Sequence, residues 1–127
     1  MDLKEYFDSA EGTGVLATAD AEGKVDVAVF ARPHVMEDGT LAFIMRDRLS
    51  HSNVMANPSA AFLFVEEGPG YRGKRFYLTK TGEEQDTAFI ESLRRRSYLS
   101  DRETDSGPVF LVRFKVDKIL PAVGTES

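Results

Sequence analysis

Residues 41–45 read LAFIM, five apolar side chains in a row, and Arg46, Asp47 and Arg48 follow at once. Successive side chains of a strand point to opposite faces, so a strand apolar at every position is covered on both. A fold built from this chain must bury Leu41–Met45 completely and then return the chain to water within three residues. A short helix begins at Ser50 and stops before Pro58, since the residue preceding a proline is disfavoured in helical geometry. The N-terminus of a helix presents unpaired N–H groups and a partial positive charge, so it attracts an anion. Arg46, Arg48 and Ser50 add guanidinium and hydroxyl donors at the same corner, each charged hydrogen bond being worth about 1.5–3 kcal/mol. The natural guest is a phosphate group. An ordinary strand-to-helix turn with solvated arginines would carry the same residues.

The remaining chain is rich in short strands. Leu3, Tyr6, Phe7 and Ala10 recur at helical spacing, so the first ten residues predict an amphipathic helix. Gly14–Ala19 and Val25–Phe30 are strand-like and joined by the hairpin residues Asp20-Ala21-Glu22-Gly23, with Val25, Val27 and Val29 on one face. Glu37-Asp38-Gly39-Thr40 is a second tight turn, and residues 60–67 (AAFLFVEE) form a further apolar strand. Residues 75–81 alternate again. Asp86 can cap a helix with an apolar stripe of Phe89, Ile90 and Leu93, ending in Arg94, Arg95 and Arg96. A polar segment, 100–107, precedes a cleanly alternating last strand, Val109–Val116, and a tail follows residue 120. Most strands succeed one another without an intervening helix, which predicts a mostly β domain, a six-stranded antiparallel barrel with peripheral helices, over residues 1–120.

Composition removes several function classes. The 127 residues carry a net charge of −5, which argues against nucleic acid or an anionic membrane as partner. The absence of cysteine rules out disulfides, thiolate metal sites and cysteine nucleophiles. No apolar run approaches the roughly 18 residues of a membrane span, and MDLKEYFDSAEG has no signal-peptide pattern. A soluble cytoplasmic protein is the expectation.

Gly68–Gly73 is a literal G-x-G-x-x-G after a strand, but a dinucleotide fingerprint must open a helix, and KRFYLTK alternates as a strand does. A hairpin turn is the better reading. His34 and His51 have no metal-ligand spacing; both read as structural, with an acid–base role as the sharper alternative. Glu66-Glu67 and Glu83-Glu84 are adjacent on strands and point to opposite faces, so neither pair makes a carboxylate dyad.

The order VDVAVFARPHVMEDGTLAFIM, then MRDRLSHSNVMANPSAAFLFV, then a later strand pair resembles the FMN-binding split-barrel family typified by pyridoxamine 5'-phosphate oxidase, over roughly residues 3–118. The RPHVMEDGT, MRDRL and EEGPGYRGKR blocks resemble one subgroup of it. The resemblance implies a homodimer with one FMN at each end of the interface. It implies that Arg48 and Ser50 hold the phosphate with help from Arg32. Met45 and Arg46 would pass backbone groups along the ribityl chain, and Phe30 and Ala31 would lie beside the flavin ring. Leu49 stands beside the phosphate where relatives often carry lysine or arginine. The C-terminal arginine and histidine motif of the type enzyme is not found, so pyridoxamine phosphate oxidation itself does not follow.

The implied activity is that of an oxidoreductase in which FMN exchanges electrons with a small substrate or redox partner and the chain sets its surroundings. Three other classes stay open: a non-catalytic flavin store or stress-response sensor, the same fold holding deazaflavin or haem, and a ligand-free interaction module. A haem would need His34 or His51 as axial ligand.

Overall fold

The computed structural model describes residues 2–85, 87–94 and 108–124. Within them lie helices α1 (Leu3–Ser9), α2 (Leu49–Ala56) and α3 (Thr87–Arg94). The strands are β1 (Gly12–Ala19), β2 (Val25–Phe30), β3 (His34–Val35), β4 (Leu41–Arg46), β5 (Ser59–Glu66), β6 (Gly73–Glu84) and β7 (Val109–Pro121). The predicted class holds: a mostly β, antiparallel half-barrel with short helices at its edges. The strand count is seven rather than six. The shortest is β3, His34 and Val35 alone, where the sequence already places His34 in a strand. The expected cap Asp86, Arg95, Arg96 and the polar segment 100–107 lie outside the described residues.

All seven strands form one sheet in the order β2-β1-β5-β6-β7-β4-β3. Its two edge strands, β2 and β3, are consecutive in the chain and joined by residues 31–33 alone. A flat sheet would set those edges about 29 Å apart, six intervals of about 4.8 Å. The link between Phe30 and His34 reaches roughly 14 Å at full extension. The sheet must therefore curl until its edges nearly meet, and the Phe30 ring lies 6.0 Å from that of Phe43 on β4.

Aromatic side chains fill the curl. Phe43 packs edge-on against Phe62 at 5.0 Å and Phe114 at 5.7 Å, and Phe7 of α1 closes one end against Phe64 and Phe76. As predicted, β4 is covered on both faces. Leu41, Phe43 and Met45 enter this main core, while Ala42 and Ile44 join Ile90, Leu93 and Leu111 in a second core under α3.

Local chemistry sets the ends of the elements. Asp2 caps α1 by accepting from the Glu5 amide at 3.1 Å. Tyr6 pins that helix to β5 by donating its hydroxyl to Glu66 at 2.7 Å, and burial, followed by this bond, pushes its phenol above the usual range. Asp20 Oδ1 accepts from the amides of Glu22 and Lys24 and shapes the β1–β2 turn. The Gly68–Gly73 loop joins β5 to β6, the hairpin expected from the alternation after it. Gly73 has φ +149°, and a Cβ there would sit against the Phe64 carbonyl oxygen.

Gly14 is a second position where no side chain fits. A Cβ would lie 2.4 Å from Phe62 Cζ and 2.7 Å from the Phe30 carbonyl oxygen. Gly14→Ala should destabilise the fold by about 1–3 kcal/mol, the range for overpacking a filled core. Urea unfolding measures this, and an unchanged midpoint would contradict such close packing.

Candidate functional site

The turn from β4 into α2 is tight. The Arg48 amide donates to the Arg46 carbonyl at 2.8 Å, and Arg48 itself is the extended N-cap residue of α2. The Arg48 side chain makes no capping hydrogen bond and the first turn holds no acidic residue, so among the described residues the first N–H groups lack a side-chain acceptor of that kind. The helix ends at Asn57, in extended geometry before Pro58, as its sequence predicts.

Polar contacts fix how α2 sits on the sheet. Asn53 Nδ2 donates to Thr18 Oγ1 on β1 at 3.0 Å, both side chains being buried. Asn57 Nδ2 donates to the Asp20 carbonyl at 3.3 Å. His51 is buried with its ring stacked on Phe110 of β7, centroids 3.9 Å apart and planes 9° from parallel. Its Nε2 lies 3.0 Å from Glu83 Oε2 on β6, and Lys80 Nζ donates to the other carboxylate oxygen at 2.6 Å. Burial pushes the Glu83 carboxyl up, but hydrogen bonds from Lys80 and His51 and their charges outweigh it, so it stays below its ordinary range.

The expected site residues divide into two groups. Met45, Arg46, Arg48, Leu49 and Ser50 are contiguous around the uncapped helix end: Met45 and Ser50 are buried, Arg46 is half-buried, and Arg48 and Leu49 are exposed. Met45 has its side chain in the core, which leaves its backbone for any ligand contact. Phe30, Ala31 and Arg32 lie on the link between the sheet edges. The antiparallel pairing of His34 with Ala42 carries Ala31 toward the Met45 end of β4. Arg32 Nη1 donates to the carbonyls of Phe7 and Ala10 at the end of α1, 3.0 Å in the first case, so this guanidinium serves that helix. With His34, Lys4, Phe89 and Arg113 it also lines a hollow of about 860 Å³ beside α1 and α3.

The His51–Glu83–Lys80 cluster escapes sequence reasoning. Glu83 and Glu84 do diverge as adjacent strand residues should, Glu83 to His51 and Glu84 to Arg113. Nothing local announces that His51 meets a residue 32 positions later. Among the described residues no group of three or more histidine, aspartate or glutamate side chains is placed to hold a metal ion.

Neither a protein-family model nor a curated protein matches the sequence. Solved structures do match, 44 chains in all, candidate pyridoxamine 5'-phosphate oxidases from Listeria innocua and Lactobacillus delbrueckii among them. The fold is the pyridoxamine 5'-phosphate oxidase-like split barrel. An F420 reductase shares it at TM-score 0.71 and 18% identity, over 94% of this chain and 97% of that one. An FMN-binding protein from Syntrophomonas wolfei also reaches 0.71, at 16% identity over 97% and 85%. The haem storage protein HutZ from Vibrio cholerae reaches 0.67, at 17% identity over 94% and 92%. One split barrel thus serves proteins named for different ligands. No helix among the described residues is long and apolar enough to cross a membrane.

Because the folded protein holds Glu83 below its ordinary value of 4.5, the carboxylate stabilises the fold fully above that pH. That contribution is lost as pH falls through the lower folded value. Glu83→Gln should lose about 1–3 kcal/mol at neutral pH and show a shallower decline on acidification than the wild type. Equal acid unfolding curves for the two proteins would contradict this role for the carboxylate.

Proposed function

We propose that this chain is a cytoplasmic FMN-binding oxidoreductase of the split-barrel type, working as a homodimer on a small substrate or redox partner. The observation that carries the ligand assignment is the uncapped N-terminus of α2, free of acidic residues in its first turn and flanked by Arg46, Arg48 and Ser50. That donor set suits a single phosphomonoester, the only phosphate of FMN, better than a longer ligand with several phosphates. The first-turn amides and Arg48 would hold the phosphate, with the Ser50 hydroxyl completing the set. The backbone of Met45 and Arg46 would follow the ribityl chain, and Phe30 and Ala31 would border the ring. FMN, once bound, supplies hydride and single-electron transfer, while the protein sets orientation and solvent access. A haem held by His51 is less well supported, because that ring is buried on Phe110 with Nε2 directed to Glu83.

A broad exposed apolar face supports the dimer. Val25, Val27 and Val29 on the edge strand β2 are 82%, 66% and 70% exposed. Directly across the sheet they pair with Ala19, Ala17 and Val15, the last two of which neighbour Ala61 and Leu63 of β5. Contiguous apolar surface of this kind marks an interaction site, and a second copy would cover it.

Arg48→Ala combined with Ser50→Ala should weaken FMN binding by about 1.5–3 kcal/mol for each charged hydrogen bond lost. Riboflavin, which lacks the phosphate, should bind the variant and the wild type alike. Flavin fluorescence titration makes the comparison, and undiminished FMN affinity in the double variant would remove the phosphate assignment.

A further inference from the structure

Among the described residues, the buried Nδ1 atom of His51 finds no hydrogen-bond partner. A buried polar atom left in this way needs a physical explanation. Glu83 is ionised near neutrality and can only accept, so Nε2 of His51 carries the proton between them. The other edge of the ring looks back toward the start of α2. There Asp47 Oδ1 lies 3.8 Å from Nδ1, just beyond a hydrogen bond. The His51 side chain is 3% exposed and that of Asp47 64%, so the carboxylate can rotate while the ring cannot.

We propose that His51 is a positioning residue which sets how strongly the 46–50 corner holds a phosphate monoester, by capturing or releasing Asp47. With a second proton at Nδ1, the ring donates to Asp47, draws its carboxylate inward and balances its charge. The helix end then faces the ligand without a competing anion. With Nδ1 unprotonated, both atoms are acceptors and repel. Asp47 then stays at the helix N-terminus, where the dipole favours a negative group and a phosphate must compete with it. Among the described residues the charged groups around the ring are Glu83 and Lys80 on β6 and Asp47 on the turn, whose sequence neighbours are Arg46 and Arg48. From β7 the ring meets the apolar face of Phe110. This inference rests on the phosphate reading of the corner. Its consequence is that a phosphate monoester binds together with a proton taken up from solvent onto Nδ1.

The test compares FMN with riboflavin by fluorescence titration over about pH 5 to 8, the interval in which histidines change charge. Wild type, Asp47→Asn and His51→Phe are measured; phenylalanine keeps the stack on Phe110, and thermal melting reports whether each variant folds. The phosphate's own ionisation affects all three proteins equally, so differences between them isolate His51 and Asp47. The FMN preference of the wild type should fall with rising pH by at least about fivefold more than that of Asp47→Asn, the lower end of a site-to-site coupling. Asp47→Asn should hold FMN tightly throughout, and His51→Phe weakly throughout. If wild type and Asp47→Asn follow the same pH course while both prefer FMN, the proposal is overturned and the phosphate reading stands. If FMN and riboflavin bind alike in every protein at every pH, both fall. Should His51→Phe fail to fold, the comparison with Asp47→Asn decides alone.

Discussion

Two apolar surfaces claim the strand Leu41–Arg46, and it serves both. Leu41, Phe43 and Met45 fill the inside of the curled sheet, and Ala42 and Ile44 meet α3 and Leu111 on the outside. A strand buried on both faces carries no charge before its last residue, here Arg46. The charges of Arg46, Asp47 and Arg48 therefore fall together at one end of it, beside the first turn of α2. The curl depends on the same strand, since Phe43 meets Phe30, Phe62 and Phe114 and so ties one sheet edge to the middle of the fold. Core packing and the placement of the candidate anion site thus have one origin.

The orientation of α2 depends on polar contacts more than on grease. Its buried residues include Ser50, His51 and Asn53, and the helix is anchored through Asn53 to β1 and through His51 to β6. Such buried groups are costly unless satisfied, and satisfied ones fix a single arrangement. A helix held in this way presents its N-terminal amides in a defined direction, which a ligand-binding end requires. Nδ1 of His51, without a hydrogen-bond partner among the described residues, is the exception in that network, and it lies on the side of Asp47, 3.8 Å from that carboxylate.

Much of this fold was legible in the residues, for identifiable reasons. The apolar run of β4, the alternation in β2 and β7 and the chemistry of the hairpin turns are local signals, and each led to the right element. The stop of α2 before Pro58 and the hairpin role of Gly68–Gly73 were readable in the same way. What stayed hidden depends on distance along the chain. That β2 and β3 lie at opposite edges of one sheet follows from pairings no short window contains. The contact of His51 with Glu83 and the attachment of Arg32 to the end of α1 likewise join residues far apart in sequence. At the corner itself, residues 46–50 were legible because they are contiguous, and the Asp47–His51 pairing was not, because it depends on how the helix is rotated.

The proposed function of this chain turns on where an anionic group sits. A crystal structure of the protein grown with FMN locates the phosphorus atom directly. If residues 46–50 form the phosphate cradle, that atom lies against the first-turn amides of α2, within hydrogen-bonding distance of the Arg48 guanidinium and the Ser50 hydroxyl. A phosphate found elsewhere, for example in the hollow lined by Arg32 and His34, with the N-terminus of α2 facing only solvent, would contradict it.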